Sequence, residues 1–517
     1  MRTAPAMRSN VGDFKSPFPI TRNPATVFWA FVLCHGIVWT LVPTLSQPNG
    51  STDVMELLNW GRHPQWGYWK HPPLQAWIAE ASVQVAGRSL WGAYLASQVA
   101  ISACFLAVWR FARGFLEPPY ALLSVLMLEG VFYYNYMSPQ FSANVLQMAL
   151  WSWTSLLFWR ALNSGRARYW GLCGLTAGLG LLTRYDMVIL LISLLVFMLL
   201  NVQARKHFAK PGPYIALAIA AIIFAPHVNW LVENDATTIA YALARATSAK
   251  SKGAFLDRLV HPLIFAFGQA LVLAPVFIMT GTLVSRTLWR KAEVVNRAFS
   301  REFLFTATLG PFLAYLVVSA ITGFSLTTRW GMPLWSFVSV FMLYHLRPAL
   351  TDTALHRFRY AFLGFAALWV ITFVGKYTFV PAFTGHVTSG LFPGQAIADY
   401  VTAQWVKRYE SPLQIIGGNR WLAENVGFYS PYRPDVYADL DPRKSPWMND
   451  EGFNRQGGVI IWNAGTAGGD LPDEWRRRFP SALIKPSVSF AWQTSGRVPP
   501  VQIGWAIVPP ASSNAPP

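Results

Sequence analysis

The sequence predicts a mainly α-helical fold, a polytopic membrane helix bundle of about eleven transmembrane helices followed by a small C-terminal α/β domain outside the membrane. Of the 517 residues, 53% are hydrophobic and only 13% are charged, about half the charged share of a typical soluble protein. Apolar runs long enough to cross a bilayer recur along the chain as far as residue 380. The formal net charge is nevertheless +18, which requires an explanation in terms of where the basic residues lie.

The membrane part is predicted to cover residues 26–385. Residues 1–25 are basic and lack a long apolar run, so we expect a cytoplasmic tail and not a signal peptide. The first predicted span is the apolar run Val27–Leu45. The ten further spans are predicted over 90–113, 118–136, 142–163, 168–183, 187–203, 213–231, 260–284, 303–322, 331–346 and 360–380. A chain segment in lipid must satisfy its own backbone hydrogen bonds, so these segments are expected to be helical.

The basic residues indicate an orientation. They cluster in short loops that lie on the same side of the membrane if the chain crosses it at each predicted span. Examples are the loop with Arg110 and Arg113 and the loop with Arg166 and Arg168. Short basic loops face the cytoplasm, so the N-terminus is predicted to be cytoplasmic and the C-terminal domain periplasmic, in a bacterial inner (plasma) membrane. No DNA- or RNA-binding motif accompanies the basic residues, so nucleic acid is not an expected partner.

The composition changes after Val380. Residues 390–508 mix polar and apolar residues and are predicted to form the small periplasmic α/β domain. The β-type runs are Leu413–Ile416, Val459–Trp462 and Val501–Val508, and a helical stretch is predicted over Asn419–Gly427. The last segment, 509–517, is rich in Pro, Ser and Ala and is predicted to be a disordered tail.

The first outside loop contains the first group of candidate site residues. Asp53 and Glu56 follow the first span closely, where a carboxylate can act as a general base at the bilayer surface. Lys70 and His71 precede the stiff Pro72-Pro73 step and can contact an anionic group.

Two further charged sites lie next to apolar runs. Arg184 and Asp186 stand between the fifth and sixth predicted spans, and Arg329 stands in a short outside loop. Charged groups at membrane depth usually mark a functional path or an ion pair; an Arg–Asp pair at the interface and an interfacial anchor are the alternatives. Together with Lys70, these arginines predict one anionic ligand in the membrane. A lipid-linked phosphate fits, because guanidinium matches phosphate geometry.

The order of these motifs resembles that of the GT-C superfamily of polyprenyl-phosphate-sugar glycosyltransferases. More closely, it resembles the family 39, protein mannosyltransferase (PMT)-like group. Within this group it is similar to bacterial lipid A aminoarabinose transferases and to Rgt-type lipopolysaccharide galacturonosyltransferases. The matching pieces are Asp53, Lys70–Leu74 with Trp77, Leu182–Tyr185, Ala225–Leu231 and Arg329–Trp335.

The resemblance implies a GT-C-like fold and an inverting sugar transfer. An acceptor hydroxyl attacks the anomeric carbon of a polyprenyl-phosphate sugar, and the lipid phosphate leaves. The catalytic carboxylate maps onto Asp53, and the donor-phosphate ligands map onto Lys70, Arg184 and Arg329. The expected partners are the polyprenyl-phosphate-linked donor, a lipid or glycan acceptor and membrane lipids. The expected acceptor is lipid A or lipopolysaccharide, another envelope lipid or a protein.

The sequence departs from the pattern of the family at two positions. The family commonly has adjacent acids in its first motif, whereas Val54 follows Asp53 here and the next acid is Glu56. The second outside loop often carries a Pro-Asp step, whereas Gln140 stands there here. Gln140 and Asn144 can hydrogen-bond a sugar or belong to the entry of a helix, and Glu56, His71 and Asp186 are further substrate-binding candidates.

No cofactor and no metal site are expected. Cys34, Cys104 and Cys173 lie in apolar runs without the spacing of metal ligands. Five tryptophans of the C-terminal domain can stack on sugar rings, although core packing is the commoner role. They are Trp405, Trp421, Trp447, Trp462 and Trp475.

Two other functions stay open from the sequence. Several spans with charged residues, including Glu129 in the third, also suit a lipid or sugar transporter or flippase, although the two similar halves typical of transporters are not visible. A non-catalytic membrane scaffold of the same fold is the other alternative.

Overall fold

The chain folds into a helical membrane part and a C-terminal domain built on one β-sheet. A computed structural model describes residues 19–247, 254–284, 297–465, 469–494 and 498–511. Most of the predicted N-terminal tail and residues 512–517 of the predicted C-terminal tail lie outside the described residues.

Seventeen α-helices are described before the C-terminal domain. In chain order they are α1 (Pro19–Arg22), α2 (Pro24–Ser46), α3 (Thr52–Gly61), α4 (Leu74–Val85), α5 (Trp91–Ala112), α6 (Pro118–Leu126), α7 (Ala143–Ser164), α8 (Ala167–Leu181), α9 (Met187–Leu200), α10 (Val202–Arg205), α11 (Gly212–Glu233), α12 (Thr237–Thr247), α13 (Ala254–Leu283), α14 (Arg297–Thr322), α15 (Val338–Leu346), α16 (Asp352–Tyr377) and α17 (Phe379–Thr384). Short 3-10 helices cover Met127–Gly130, Lys206–Ala209, Thr328–Trp335 and Ser389–Leu391.

Six helices in the described part of the chain are long and apolar enough to cross a membrane: α2, α5, α11, α13, α14 and α16. α9 and the segment Val202–Ala209 are bent by 94° at their junction and make a seventh if they count as one span. The prediction of about eleven spans is therefore not confirmed, whereas a multi-pass helical membrane protein is. α7 has 22 residues but does not meet the same criterion, and α8 has only 15.

Two predicted spans are not continuous helices. In segment 118–136, α6 has nine residues, and turns follow the 3-10 helix Met127–Gly130. Side chains replace the missing helical partners here: Asn135 donates to the carbonyl of Glu129 at 2.6 Å, and Trp369 donates to that of Gly130 at 3.1 Å. In segment 331–346, the 3-10 helix Thr328–Trp335 contains a proline, and α15 follows with only nine residues.

The long helices expose apolar side chains outwards and pack a large core between them. Leu33 on α2, Leu217 on α11 and Ile371 on α16 are 63–69% exposed, as is expected of side chains that face lipid. Between the helices, Ile101 and Trp151 are fully buried in one continuous apolar cluster.

The C-terminal domain has a five-stranded sheet between two layers of helices. Its elements are α18 (Gly394–Tyr409), β1 (Ile415–Gly418), α19 (Arg420–Tyr429), β2 (Asp435–Ala438), α20 (Asp450–Gln456), β3 (Gly458–Asn463), α21 (Asp473–Arg478), β4 (Leu483–Phe490) and β5 (Val501–Val508). The strand order is β2-β1-β3-β5-β4, with β2, β1 and β3 parallel and with β5 antiparallel to β3 and to β4. One apolar cluster lies under α18 and α19, and another lies on the α20 and α21 side.

The β-type runs and the helical stretch predicted in this domain overlap β1, β3, β5 and α19. The sequence reasoning missed β2, β4, α18, α20 and α21 in this domain and the short helices α3 and α12 before it. β4 is missed because most of its residues are partly or fully exposed and Pro486 interrupts the run.

α3 and α4 form a layer that contacts the membrane helix α5 on one side and α19 on the other. Phe428 of α19 packs among buried residues of α3 and α4. Arg433 binds the two carboxylate oxygens of Glu80 at 2.6 and 3.0 Å, and both side chains are buried. A bidentate pair of this kind fixes orientation, so the C-terminal domain is held against the α3–α4 layer.

Candidate functional site

Six of the candidate residues line one cavity of about 580 Å³. It opens between the loop before α4, the junction of α8 and α9, α12 and the 3-10 helix Thr328–Trp335. The predicted residues on its wall are Lys70, His71, Asn144, Arg184, Asp186 and Arg329. Arg245 of α12 also lines it. Among the described lining residues, four cationic side chains therefore face a single carboxylate, an electrostatic balance that favours an anionic ligand.

Arg184 is fixed by neighbours on three sides. Its Nε donates to Asp186 Oδ2 at 3.0 Å, its Nη1 donates to Asn144, and its guanidinium lies 5.7 Å from the ring centre of Trp330. Tyr315 also donates to Asp186 at 3.2 Å. A guanidinium has five N–H donors, so Arg184 keeps donors for a ligand while its geometry is set.

The loop with Lys70 is tied directly to the Arg184 junction. The backbone groups of Tyr68 and His71 bond each other at 3.0 and 3.2 Å, and the Leu74 N–H donates to the carbonyl of Leu182 at 3.0 Å. Burial, together with the positive charges of Arg184 and Lys70, lowers the pKa of His71 to about 3. His71 is therefore a neutral hydrogen-bonding group at physiological pH.

Glu56 lies behind Lys70, outside the cavity lining, where it orients the ammonium group. Its carboxylate accepts from Lys70 Nζ at 2.8 and 2.9 Å and from Arg420 of α19. The Lys70 ammonium also lies 4.5 Å from the ring centre of Trp69. Burial raises the pKa of Glu56 although two cations lie next to it. Glu56 thus links the C-terminal domain to a cation of the cavity.

Asp53 stands in the first turn of α3, beside the cavity. Ser51 caps this helix by accepting from Val54 N. The Asp53 side chain is 48% exposed, and its Oδ2 lies 3.7 Å from Arg329 Nη1. Asp53 is therefore an accessible carboxylate next to a cation of the cavity, whereas Glu56 is enclosed.

Gln140 lies in a neighbouring cavity of about 380 Å³, which Tyr136, Thr328 and Lys376 also line. Arg329 lines both cavities. The close approach of Gly331 to Gln269 helps to place Arg329, since a Cβ on Gly331 would overlap the Gln269 amide. Gln269 in turn donates to the carbonyl of Thr328 at 3.0 Å.

Several wall residues were not predicted from the sequence. Tyr241 and Arg245 come from α12, and Tyr315 from α14. The placement of Tyr241 and Arg245 four residues apart on one helix face is a signal that the loop 232–259 contained. Arg420 had no such local signal, because it reaches Glu56 only through tertiary packing.

Glu129 does not belong to the cavity. Its carboxylate pairs with His35 Nδ1 at 2.8 Å, and His35 Nε2 lies 3.0 Å from the carbonyl of Tyr134. The pair joins α2 to the turn after α6 and is buried, so Glu129 holds helices together. In the described ranges, no group of three or more His, Cys, Asp and Glu side chains is arranged to hold a metal ion.

The fold is similar to that of a solved protein structure. The crystal structure of ArnT from Cupriavidus metallidurans bound to undecaprenyl phosphate is similar with a TM-score of 0.62 and 14% sequence identity, over 95% of this chain and 99% of that one. At this identity, the similarity shows the fold alone.

Sequence comparisons then give the proteins to which this chain is similar. Residues 70–230 match the family model described as dolichyl-phosphate-mannose-protein mannosyltransferase. The lipopolysaccharide core galacturonosyltransferase RgtB of Rhizobium johnstonii is 23% identical over 88% of this chain and 91% of its own length. RgtA of the same organism, also named a lipopolysaccharide core galacturonosyltransferase, is 23% identical over 82% and 84%. The resemblance to PMT-like glycosyltransferases of the GT-C superfamily is therefore confirmed.

Proposed function

We propose that this protein transfers a sugar from a polyprenyl-phosphate donor to an acceptor on the periplasmic face of a bacterial inner membrane. One observation supports this most strongly: Lys70, Arg184 and Arg329 line one cavity, and Asp53 lies 3.7 Å from Arg329 at its side. Three cations suit a lipid-linked phosphate. An inverting transfer needs a base on the side of the sugar away from the phosphate, and Asp53, which stands outside the cavity lining, is proposed to take that place.

In the proposed reaction, Asp53 takes the proton of the acceptor hydroxyl. The oxygen forms a bond to the anomeric carbon from the face opposite the phosphate, so the configuration inverts. The bond between the anomeric carbon and the phosphate oxygen breaks, and its electron pair leaves with the lipid phosphate. Lys70, Arg184 and Arg329 stabilise the charge that develops there. His71, Asn144 and Asp186 are proposed to position the donor.

The acceptor is proposed to approach through the cavity beside Gln140. Arg329 is shared by both cavities, so an acceptor beside Gln140 would meet the donor next to Asp53. The acceptor classes remain a lipopolysaccharide, another envelope lipid or a protein. The names of the relatives RgtB and RgtA support a lipopolysaccharide core acceptor. The domain division at 26–385 and 390–508, with a cytoplasmic N-terminus and a periplasmic C-terminal domain, is part of the proposal.

The test is sugar transfer by the full chain in vesicles that contain a polyprenyl-phosphate sugar and lipopolysaccharide. We expect a glycosylated product with the natural protein, a loss of about 10²- to 10⁴-fold with Asp53→Asn and no loss with Asp399→Asn, which changes an exposed carboxylate of α18. Full activity of Asp53→Asn would overturn the assignment of the base. Movement of donor across the vesicle membrane without a covalent product would overturn the proposed function.

A further inference from the structure

A second kind of cavity lies in the C-terminal domain, outside the site described above. It has a volume of about 500 Å³, within the range of small-molecule sites. Its lining residues with aromatic rings are Phe392, Trp421 and Trp492, and those with amide side chains are Asn419, Asn463 and Gln502. None of the described residues that line it carries a charge.

The position of this cavity in the sheet is one where ligands bind in α/β folds. Asn419 follows β1 directly, and Asn463 ends β3, so both lie at the carboxyl ends of neighbouring parallel strands. The chain leaves β1 for α19 on one face of the sheet and leaves β3 for α21 on the other. This arrangement opens a crevice at a topological switch point, the usual ligand position of open α/β sheets.

The aromatic wall is held by packing. Phe392 lies between the two tryptophans, with ring centres 5.2 Å from Trp421 and 5.7 Å from Trp492. The Trp492 indole N–H donates to the carbonyl of Pro499 at 3.1 Å. The rings are therefore fixed, and a ligand that stacks on them loses little side-chain freedom of the protein.

The amides give the cavity hydrogen-bonding groups without charge. The Asn419 side-chain oxygen accepts from Leu422 N at 3.3 Å, so the group that Asn419 offers to the cavity is its NH₂ donor. Gln502 is exposed at the second residue of β5 and offers both a donor and an acceptor. Apolar ring faces combined with neutral amides suit a ligand that has apolar C–H faces and many hydroxyls.

We infer that this cavity is a binding site for an uncharged segment of the acceptor glycan. The inference rests on the proposed function, because it assigns the cavity to the acceptor of that reaction. Arg420 stands between Asn419 and Trp421 in the chain and bonds Glu56. Glu56 in turn bonds Lys70 of the cavity that Arg184 and Arg329 line, the membrane cavity. A glycan bound in the cavity of the C-terminal domain is therefore connected to the membrane cavity through the contacts of Arg420 with Glu56 and of Glu56 with Lys70.

The probe is a neutral trisaccharide, mannotriose or galactotriose, titrated by saturation-transfer NMR against the full chain in detergent. We expect binding by the natural protein, and a trigalacturonate of the same length should bind less tightly. Trp492→Ala should weaken neutral binding about five- to tenfold, and Gln502→Ala should weaken it by a smaller factor. The control is Trp475→Ala, a half-buried tryptophan on the other face of the same sheet, which should leave binding unchanged.

No binding of either neutral sugar, equal weakening by Trp492→Ala and Trp475→Ala, or tighter binding of trigalacturonate would overturn the inference. Asp53→Asn should bind the trisaccharide as the natural protein does. A variant without transfer activity that still binds sugar through Trp492 separates the two proposals. If transfer is observed and neutral sugar does not bind, the inference fails while the proposed function stands.

Discussion

The membrane cavity, lined by Lys70 and Arg184, and the cavity of the C-terminal domain differ in charge, in the side chains that line them and in how they are built. The membrane cavity has four cations, and its side chains are held by ion pairs such as Arg184 with Asp186 at 3.0 Å. The cavity of the C-terminal domain is lined, among the described residues, by aromatic rings and amides and is held by ring packing. One is suited to a phosphate and the other to the hydroxyls of a neutral sugar.

This difference shows how a transferase can separate its two substrates. The donor carries a charge in or near the membrane, where cations in a low dielectric bind strongly. In the proposal, the acceptor segment is uncharged and is recognised by its shape and hydroxyl pattern, to which aromatic rings and amides are suited. Arg420 and Glu56 join the two regions through a buried contact to Lys70.

Among the variants that compare the two cavities, the largest effect is expected from Arg184→Ala. Removing the guanidinium takes away a proposed phosphate ligand and leaves the mostly buried Asp186 carboxylate without its cationic partner. Transfer should fall at least about 10²-fold, and the thermal midpoint should fall as well. The double variant Arg184→Ala/Asp186→Asn should regain the midpoint but not transfer. Recovery of transfer in the double variant would show that Arg184 acts only through folding.

Arg420→Gln is expected to have the next largest effect, because it tests the link between the two regions. Arg420 helps to lower the pKa of the buried Glu56 carboxyl, so without it Glu56 is more readily protonated and holds Lys70 less well. The dissociation constant for undecaprenyl phosphate should then rise about tenfold, or about 1.4 kcal/mol. Glu56→Gln should act in the same direction, and the two changes together should cost less than their sum. Strict additivity in this double-mutant cycle would mean that the contact does not transmit to Lys70.

Trp492→Ala tests the cavity of the C-terminal domain. The KM for the acceptor should rise about fivefold with an unchanged kcat, because a binding contact remote from the reacting atoms is lost. The dissociation constant for undecaprenyl phosphate should stay the same. A change in kcat alone would place Trp492 in the positioning of the reaction and not in acceptor binding.

The smallest effect is expected from the protonation of His71. Its pKa is about 3 in the folded chain and about 6.5 in an unfolded one, so the unfolded state binds an extra proton between these values. The natural protein should therefore lose stability as the pH falls from about 6.5 toward 3, by at most about 1.4 kcal/mol per pH unit. His71→Gln should show a shallower loss of thermal midpoint between pH 7 and pH 5. An identical slope would contradict a neutral His71.

The sequence was most informative where charge interrupts an apolar run. Arg184 and Arg329 stand out for this reason, and Lys70 stands out by its place before the Pro72-Pro73 step. The structure brings all three to one cavity. The count of spans is not confirmed, because apolar composition alone does not tell a spanning helix from a shorter one, as α6 and α15 show. The cavity of the C-terminal domain could not be predicted from the sequence, because Asn463 and Trp492 are distant from Asn419 in the chain. These residues meet only through the strand order. Of the five tryptophans considered, Trp405 and Trp462 are buried in the core, and Trp421 lines that cavity.

The most direct test of the cationic cavity is a cryo-EM structure of the full chain with undecaprenyl phosphate. The phosphate is expected to have oxygens about 3 Å from the side-chain nitrogens of Lys70, Arg184 and Arg329. Asp53 is expected on the open side of the cavity. A phosphate bound elsewhere, for example in the apolar cleft of about 560 Å³ between α9 and α14, would contradict it.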